Sequence, residues 1–166
     1  KVPLEMKAAA KVMGHEVLSE ATLDELFDHV KEIREQCGDR AFLRAYHFLN
    51  ETQRAHDEAE ALKKQDIKTF FKLVRESGRS SWMYLQNISV GSMPESQAVA
   101  IGLAISESVI HEDGAYRVHG GGFAGTIQAF VNKNTTGAFI ERMEKTFGKG
   151  CCYILRIRDV GGIRLA

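Results

Sequence analysis

The chain has 166 residues, enough for one compact domain with a core and short of what two would ordinarily need. Lys plus Arg equals Asp plus Glu at 22 each, so bulk charge supplies no pull toward nucleic acid, and no nucleic-acid partner is expected. Apolar residues make up 44% of the chain, yet no run approaches the roughly 20 needed to span a bilayer, so no membrane partner is expected either.

The first residue is Lys1 and no signal or transit segment follows, the pattern expected of a piece of a longer chain. Cys37, Cys151 and Cys152 are odd in number with two adjacent, a poor disulfide framework that suits a reduced, cytoplasmic setting.

Up to about Ile110 the sequence reads almost entirely as helix. Thr22 and Glu25 have the spacing of a capping box, and Leu23, Leu26, Phe27, Val30 and Ile33 then trace one apolar face of a single helix ending near Gly38. A longer helix is predicted from Arg40 to Lys64, with Ala45, Leu49, Thr52, Ala55, Ala59 and Leu62 along one flank. Asp66 caps the next, whose face is Ile67, Phe70, Phe71 and Val74; Trp82 and Tyr84 are expected to pack in this helical layer. Pro94 is placed to open a further helix, and Ala98 to Ile110 is apolar on nearly every side, as in a helix held between layers.

After Gly114 the period changes. Ala115 to Val118 and Thr126 to Val131 read as strands, and Phe139, Ile140, Met143 and Phe147 mark a helix that stops at Gly148. Cys151 to Arg158 alternates as a third strand, which would put the two adjacent thiols on opposite faces, and a short fourth strand is expected after Gly162. The order predicts one α+β domain over 1–166, with helices on one face of a mostly antiparallel sheet.

Between the first two strands runs Arg117-Val118-His119-Gly120-Gly121-Gly122-Phe123-Ala124-Gly125. Glycines at 120, 121, 122 and 125 let backbone N–H groups converge on an anion, so the stretch reads either as a plain hairpin connection or as a phosphate-binding loop. No Lys-Ser or Lys-Thr follows, which excludes a Walker loop, and no helix follows, which excludes a dinucleotide fingerprint. His119-Gly120-Gly121-Gly122 matches an esterase oxyanion element, but the chain has no Gly-x-Ser-x-Gly elbow. Neither His15-Glu16 nor His111-Glu112-Asp113 has the second ligand set of a metal site.

Gly114-Ala115, then Arg117, then Gly-Gly-Gly-Phe-Ala-Gly entering an apolar strand is similar to the third motif of the GHMP kinases. In galactokinases that motif commonly reads Gly-(Ala or Gly)-Gly-Phe-Gly-Gly, so Ala124 departs from it. Upstream, Arg44, His47, Glu51 and Arg54 resemble the galactokinase helix Arg-x-x-His-x-x-x-Glu-x-x-Arg. Ala61-Leu62, Asp66, Phe70-Phe71, Leu73 and Ser77 follow in family order, with Gly78 where galactokinases often carry His.

The resemblance, from about Glu20 to Val160, implies a ferredoxin-like GHMP kinase C-terminal domain. It implies an ATP-dependent galactokinase in which this half walls one side of the cleft, with Gly120 to Gly125 at the phosphates. Arg117 and His119 are candidates to support the loop or a phosphate. The stripe Arg44, His47, Glu51 and Arg54 reads as an ion-paired brace between helices, with direct substrate contact as its competing role. The serine-rich nucleotide loop and the sugar-contacting groups belong to an N-terminal domain absent from these residues. ATP and Mg²⁺ are therefore expected in a full-length protein, neither is expected bound here, and this half alone should be inactive. A non-catalytic sugar or nucleotide sensor on the same fold is the alternative, and a packing module a third.

Overall fold

In the computed structural model, which describes residues 1–123 and 125–157, the chain is α+β, with seven α-helices and a two-stranded antiparallel sheet among those residues. Val2–Val12 (α1) carries Pro3 in its first turn, where a missing N–H leaves no intrahelical bond unmade. Leu23–Asp28 (α2) starts at the reciprocal Thr22–Glu25 capping box. The single helix predicted to Gly38 is interrupted at His29, and Val30–Cys37 (α3) follows. The break lets each short helix lie against the long helix Asp39–Lys63 (α4), sealing Leu26 and Ile33 while Phe27 stays half exposed, edge-on to Phe42 and Tyr46. Ala9, Ala10, Met13, Leu18, Ala41 and Ala45 complete this first core.

In α4 the predicted apolar flank is corrected. Ala45 is buried and Leu49 half-buried against the first core, but Thr52, Ala55, Ala59 and Leu62 face solvent, and the stripe facing inward or half-buried is Arg44, His47, Glu51, Arg54, Glu58 and Ala61. Alanine burial is worth little, so partners on other elements decide the helix rotation. One is Glu5 on α1, which takes two bonds from Arg40 (3.0 and 2.6 Å) and one from the buried Arg44 (2.7 Å).

Ile67–Ser80 (α5) begins where the Asp66 side chain accepts the Thr69 N–H at 3.0 Å. A π-helical turn, Ser81–Leu85, ends it; Tyr84 meets Tyr46 edge-on at 5.0 Å, whereas Trp82 is half exposed instead of packing in the layer. Ala98–Ile110 (α6) has Gln97 at its cap, and Pro94 sits in the preceding turn and not at the helix start. It buries only one side, through Val99, Gly102, Leu103, Ser106 and Ile110, and turns Ile101 to solvent, so it is not held between layers.

Ala115–Val118 (β1) pairs with Ile127–Phe130 (β2), Ala115 opposite Phe130 and Val118 opposite Ile127. Thr136–Phe147 (α7) closes the described helices. Helices cover both faces of this hairpin, not one. Strand alternation places Tyr116, Val118, Ile127 and Ala129 on the side of α6 and α7, and Phe130 and Arg117 on the side of α5 and α4. Phe70 packs edge-on against Phe130 at 5.3 Å. Both faces of a two-stranded unit carry apolar groups here, so both require cover.

Cys151 to Ile157 is not a strand: Leu155 and Ile157 are 84% and 88% exposed. Alternation makes a strand only where a neighbour offers backbone partners, and no described strand lies alongside. Without that pleat the Cys151 and Cys152 Sγ atoms lie 3.8 Å apart and not on opposite faces. Arg158 and the strand expected after Gly162 lie outside the described residues.

Candidate functional site: the glycine hairpin and the ion seam behind it

The glycine stretch is the connection between β1 and β2. The His119 N–H bonds to the Thr126 carbonyl at 3.1 Å and extends the ladder by a rung, after which the chain turns through Gly120 (φ 59°), Gly122 (φ 68°) and Phe123 (φ 53°). The turn is tied down at two points: the Gly122 N–H reaches the His119 carbonyl at 3.4 Å, and the Phe123 N–H donates to the Asn87 carbonyl at 3.0 Å. Gly120, Gly121 and Gly125 are exposed, as are Phe123 and the His119 side chain. Ala124 lies outside the described residues. At Gly120 and Gly121 the turn thus presents backbone to solvent without Cβ atoms in the way. Nowhere among the described residues do three or more His, Cys, Asp or Glu gather as a metal site.

Arg117 stands at the base of this turn, but its guanidinium is engaged: Nε donates to the Val118 carbonyl at 3.1 Å and Nη1 to Glu51 Oε1 at 3.0 Å. Glu51 also accepts from the Ser77 hydroxyl and from Arg54 Nη1. One carboxylate therefore joins α4, α5 and β1. A turn earlier on α4, buried His47 faces the Ser80 hydroxyl across 2.9 Å from Nδ1. Arg44 is farther along, paired to Glu5 and donating to the Leu85 carbonyl at 3.1 Å. The sequence thus brings Glu51, Arg54 and Arg117 together, with His47 adjoining, and leaves Arg44 with a separate partner. A shallow cavity of about 250 Å³ opens beside the seam, lined by Tyr46, Asn50, Arg79 and Tyr84, and of the stripe only Arg54 reaches it.

Gly78 fits this seam by size. A Cβ there would stand 3.0 Å from the Arg117 Cβ and 3.2 Å from the Tyr116 carbonyl oxygen, so β1 packs directly on α5. A residue that the sequence did not flag is Asn87. It is wholly buried beneath Gly122, and neither Oδ1 nor Nδ2 has a partner. An asparagine beside Ile88 in a connecting segment carries no periodicity by which its burial is legible in advance.

The seam is electrostatically biased toward neutral pH. Burial pushes the Glu51 carboxyl up, but the Ser77 hydrogen bond with Arg117, Arg54 and His47 outweighs it and holds the group below its ordinary value. Burial pushes the His47 imidazole down, against the opposing pull of Glu51. Both folded values lie below the unfolded ones, so both contributions are present above the unfolded values and are lost as pH falls through the folded ones. The urea midpoint should therefore fall as pH drops below about 6.5, and again below about 4.3. His47→Gln should flatten the upper limb and Glu51→Gln the lower. A midpoint flat from neutral pH to pH 5 in the unmodified chain would contradict the seam's burial of a neutral imidazole.

An α+β domain with a glycine-rich hairpin turn braced from behind by a half-buried carboxylate is what the residues form. No protein-family model matches the chain. It is similar to galactokinase from Bos taurus, 28% identical over 153 residues, 90% of this chain and 36% of that protein. It is 29% identical over 149 residues to galactokinase from Homo sapiens, 88% of this chain and 34% of that one. Galactokinase from Actinobacillus pleuropneumoniae is 28% identical over 127 residues, 76% of this chain. The chain spans about a third of the length of these curated relatives. No helix among the described residues is long and apolar enough to cross a membrane.

Proposed function

We propose that the chain is the C-terminal, glycine-loop domain of an ATP-dependent sugar kinase, with galactose the default sugar, working in a cytoplasmic setting. The observation that carries this is the coincidence of a similarity to galactokinases along most of the chain with an exposed, glycine-rich turn joining β1 and β2. The fold is read as the ferredoxin-like GHMP kinase C-terminal domain, in which 1–166 is a single unit and an N-terminal kinase domain is its partner.

In this reading the run Gly120 to Gly125 faces the phosphates of ATP, with Gly120 and Gly121 as its first backbone N–H donors, while in the free turn the Gly122 and Phe123 N–H groups are held by the His119 and Asn87 carbonyls. Phosphoryl transfer depends on positioning and on stabilising the charge that develops on the transferred group, and N–H donors fixed in advance do both. His119 adds a donor at the rim. Arg117, held by Glu51, keeps the strand end that carries the turn in place. The donor set here suits the anion alone, so Mg²⁺ would arrive with the nucleotide and be held from the other domain. The group that orients the sugar hydroxyl belongs there too, and this half alone is expected to be silent.

The test is galactose-dependent ADP formation by the full-length product of the gene. Turnover supports the kinase. Binding of galactose or ATP without turnover would make the protein a sensor on the same fold, and binding of neither would sink both readings.

A further inference from the structure

We infer that Asn87 latches the glycine hairpin: a positioning residue whose side-chain amide pairs with the Gly121–Gly122 backbone when a phosphoryl group occupies the turn. The inference rests on the phosphate reading above. Asn87 has no solvent exposure, and its Oδ1 and Nδ2 are both without partners. A buried carboxamide in that condition is costly to keep. The turn's backbone at Gly122 lies directly against it. A Cβ placed on Gly122 would fall 2.7 Å from Asn87 Cγ and Nδ2 and 2.2 Å from its carbonyl oxygen. The turn also holds Phe123 at φ 53°, a left-handed conformation uncommon for a bulky aromatic side chain. A strained turn therefore rests on an unsatisfied amide.

Peptide geometry supplies the link. In a trans peptide the N–H and C=O point in opposite directions. When the peptide joining Gly121 and Gly122 releases its N–H from the His119 carbonyl and turns it outward to an anion, its C=O turns inward, toward the Asn87 Nδ2–H. Neither glycine carries a Cβ to oppose that rotation. Ligand binding and satisfaction of Asn87 are then one event. The amide acts through the loop and never touches the ligand.

The experiment measures amide hydrogen exchange at Gly120–Phe123, and ligand affinity, in the full-length gene product with MgATP and separately with galactose 1-phosphate. Asn87→Leu keeps the shape and removes the polar atoms, so the free protein should melt at or above the unmodified temperature. Its affinity should nevertheless fall about tenfold and its ligand-induced loop protection should vanish, as expected for loss of one hydrogen bond made only in the bound state. Asn87→Asp, also of the same shape, should lose affinity at neutral pH and regain it on acidification, when the carboxyl recovers a donor O–H. This pH profile decides the matter even if the leucine variant does not fold. Protection with MgATP alone assigns the turn to the nucleotide, and protection with galactose 1-phosphate alone assigns it to the sugar phosphate; either supports the latch. Equal affinity and protection in all three proteins would overturn the latch and leave the phosphate reading standing. A turn that responds to neither ligand in the unmodified protein would remove both.

Discussion

Gly114→Ala should destabilise the chain by about 3 kcal/mol, at the upper end of what overpacking costs, and lower the melting temperature by roughly 10 °C. A Cβ at this position would lie 2.1 Å from the Phe130 carbonyl oxygen and 2.5 Å from Ile110 Cγ2. The first is backbone of the paired strand, so a rotamer change cannot relieve it. Either Ala115 moves out of register with Phe130 or the end of α6 is displaced, and both carry the glycine turn with them. Arg75 also donates to the Gly114 carbonyl, so the same change disturbs the tie between α5 and the start of β1. Gly91→Ala is the control, because a Cβ there meets nothing within 4 Å. Thermal melts of the two variants check the prediction, and equal melting temperatures would refute it.

Glu51→Leu should cost about 3 kcal/mol, the range for breaking a largely buried ion pair by removing one partner. The carboxylate joins Ser77, Arg54 and Arg117, which lie on α5, α4 and β1. Without it two guanidinium groups, at 15% and 22% side-chain exposure, are left near one another without a hydrogen-bonded carboxylate, and only the more distant charge of Glu58 remains. Replacing Arg117 with Met in the same chain should recover part of the loss, because only one guanidinium, Arg54, then lacks the Glu51 carboxylate. A double-mutant cycle on urea midpoints reads this. Simple additivity of the two changes would show that Glu51 and Arg117 do not interact.

Local signals in the sequence were reliable where the cause was itself local. The Thr22–Glu25 capping box, the Asp66 cap, the extent of α6 and the two strands flanking the glycines all follow from hydrogen bonds or periodicities contained within a few residues. The break at His29 was not legible, because a continuous apolar period runs across it and only packing against α4 bends the chain there. The segment from Cys151 failed for a related reason: alternation states which side would be apolar, not whether a neighbouring strand exists.

The same division holds at the candidate site. The glycine run and the spacing of His47, Glu51 and Arg54 were readable because residue type and period carry them. The seam's other members, Ser77 and Ser80 on α5 and Arg117 on β1, come from positions 26 to 66 residues away from their partners. Asn87 reaches the turn only because the segment after the π-helical turn folds beneath Gly122.

The amino-acid sequence by itself determined the α+β order, the helix caps and a glycine-rich turn between two strands, since each is encoded in short-range backbone preferences. Tertiary structure decided which face of α4 turns inward, that both faces of the hairpin are covered, and which side chain lies under the loop. Those outcomes depend on contacts between distant segments, whose net free energy no local pattern records.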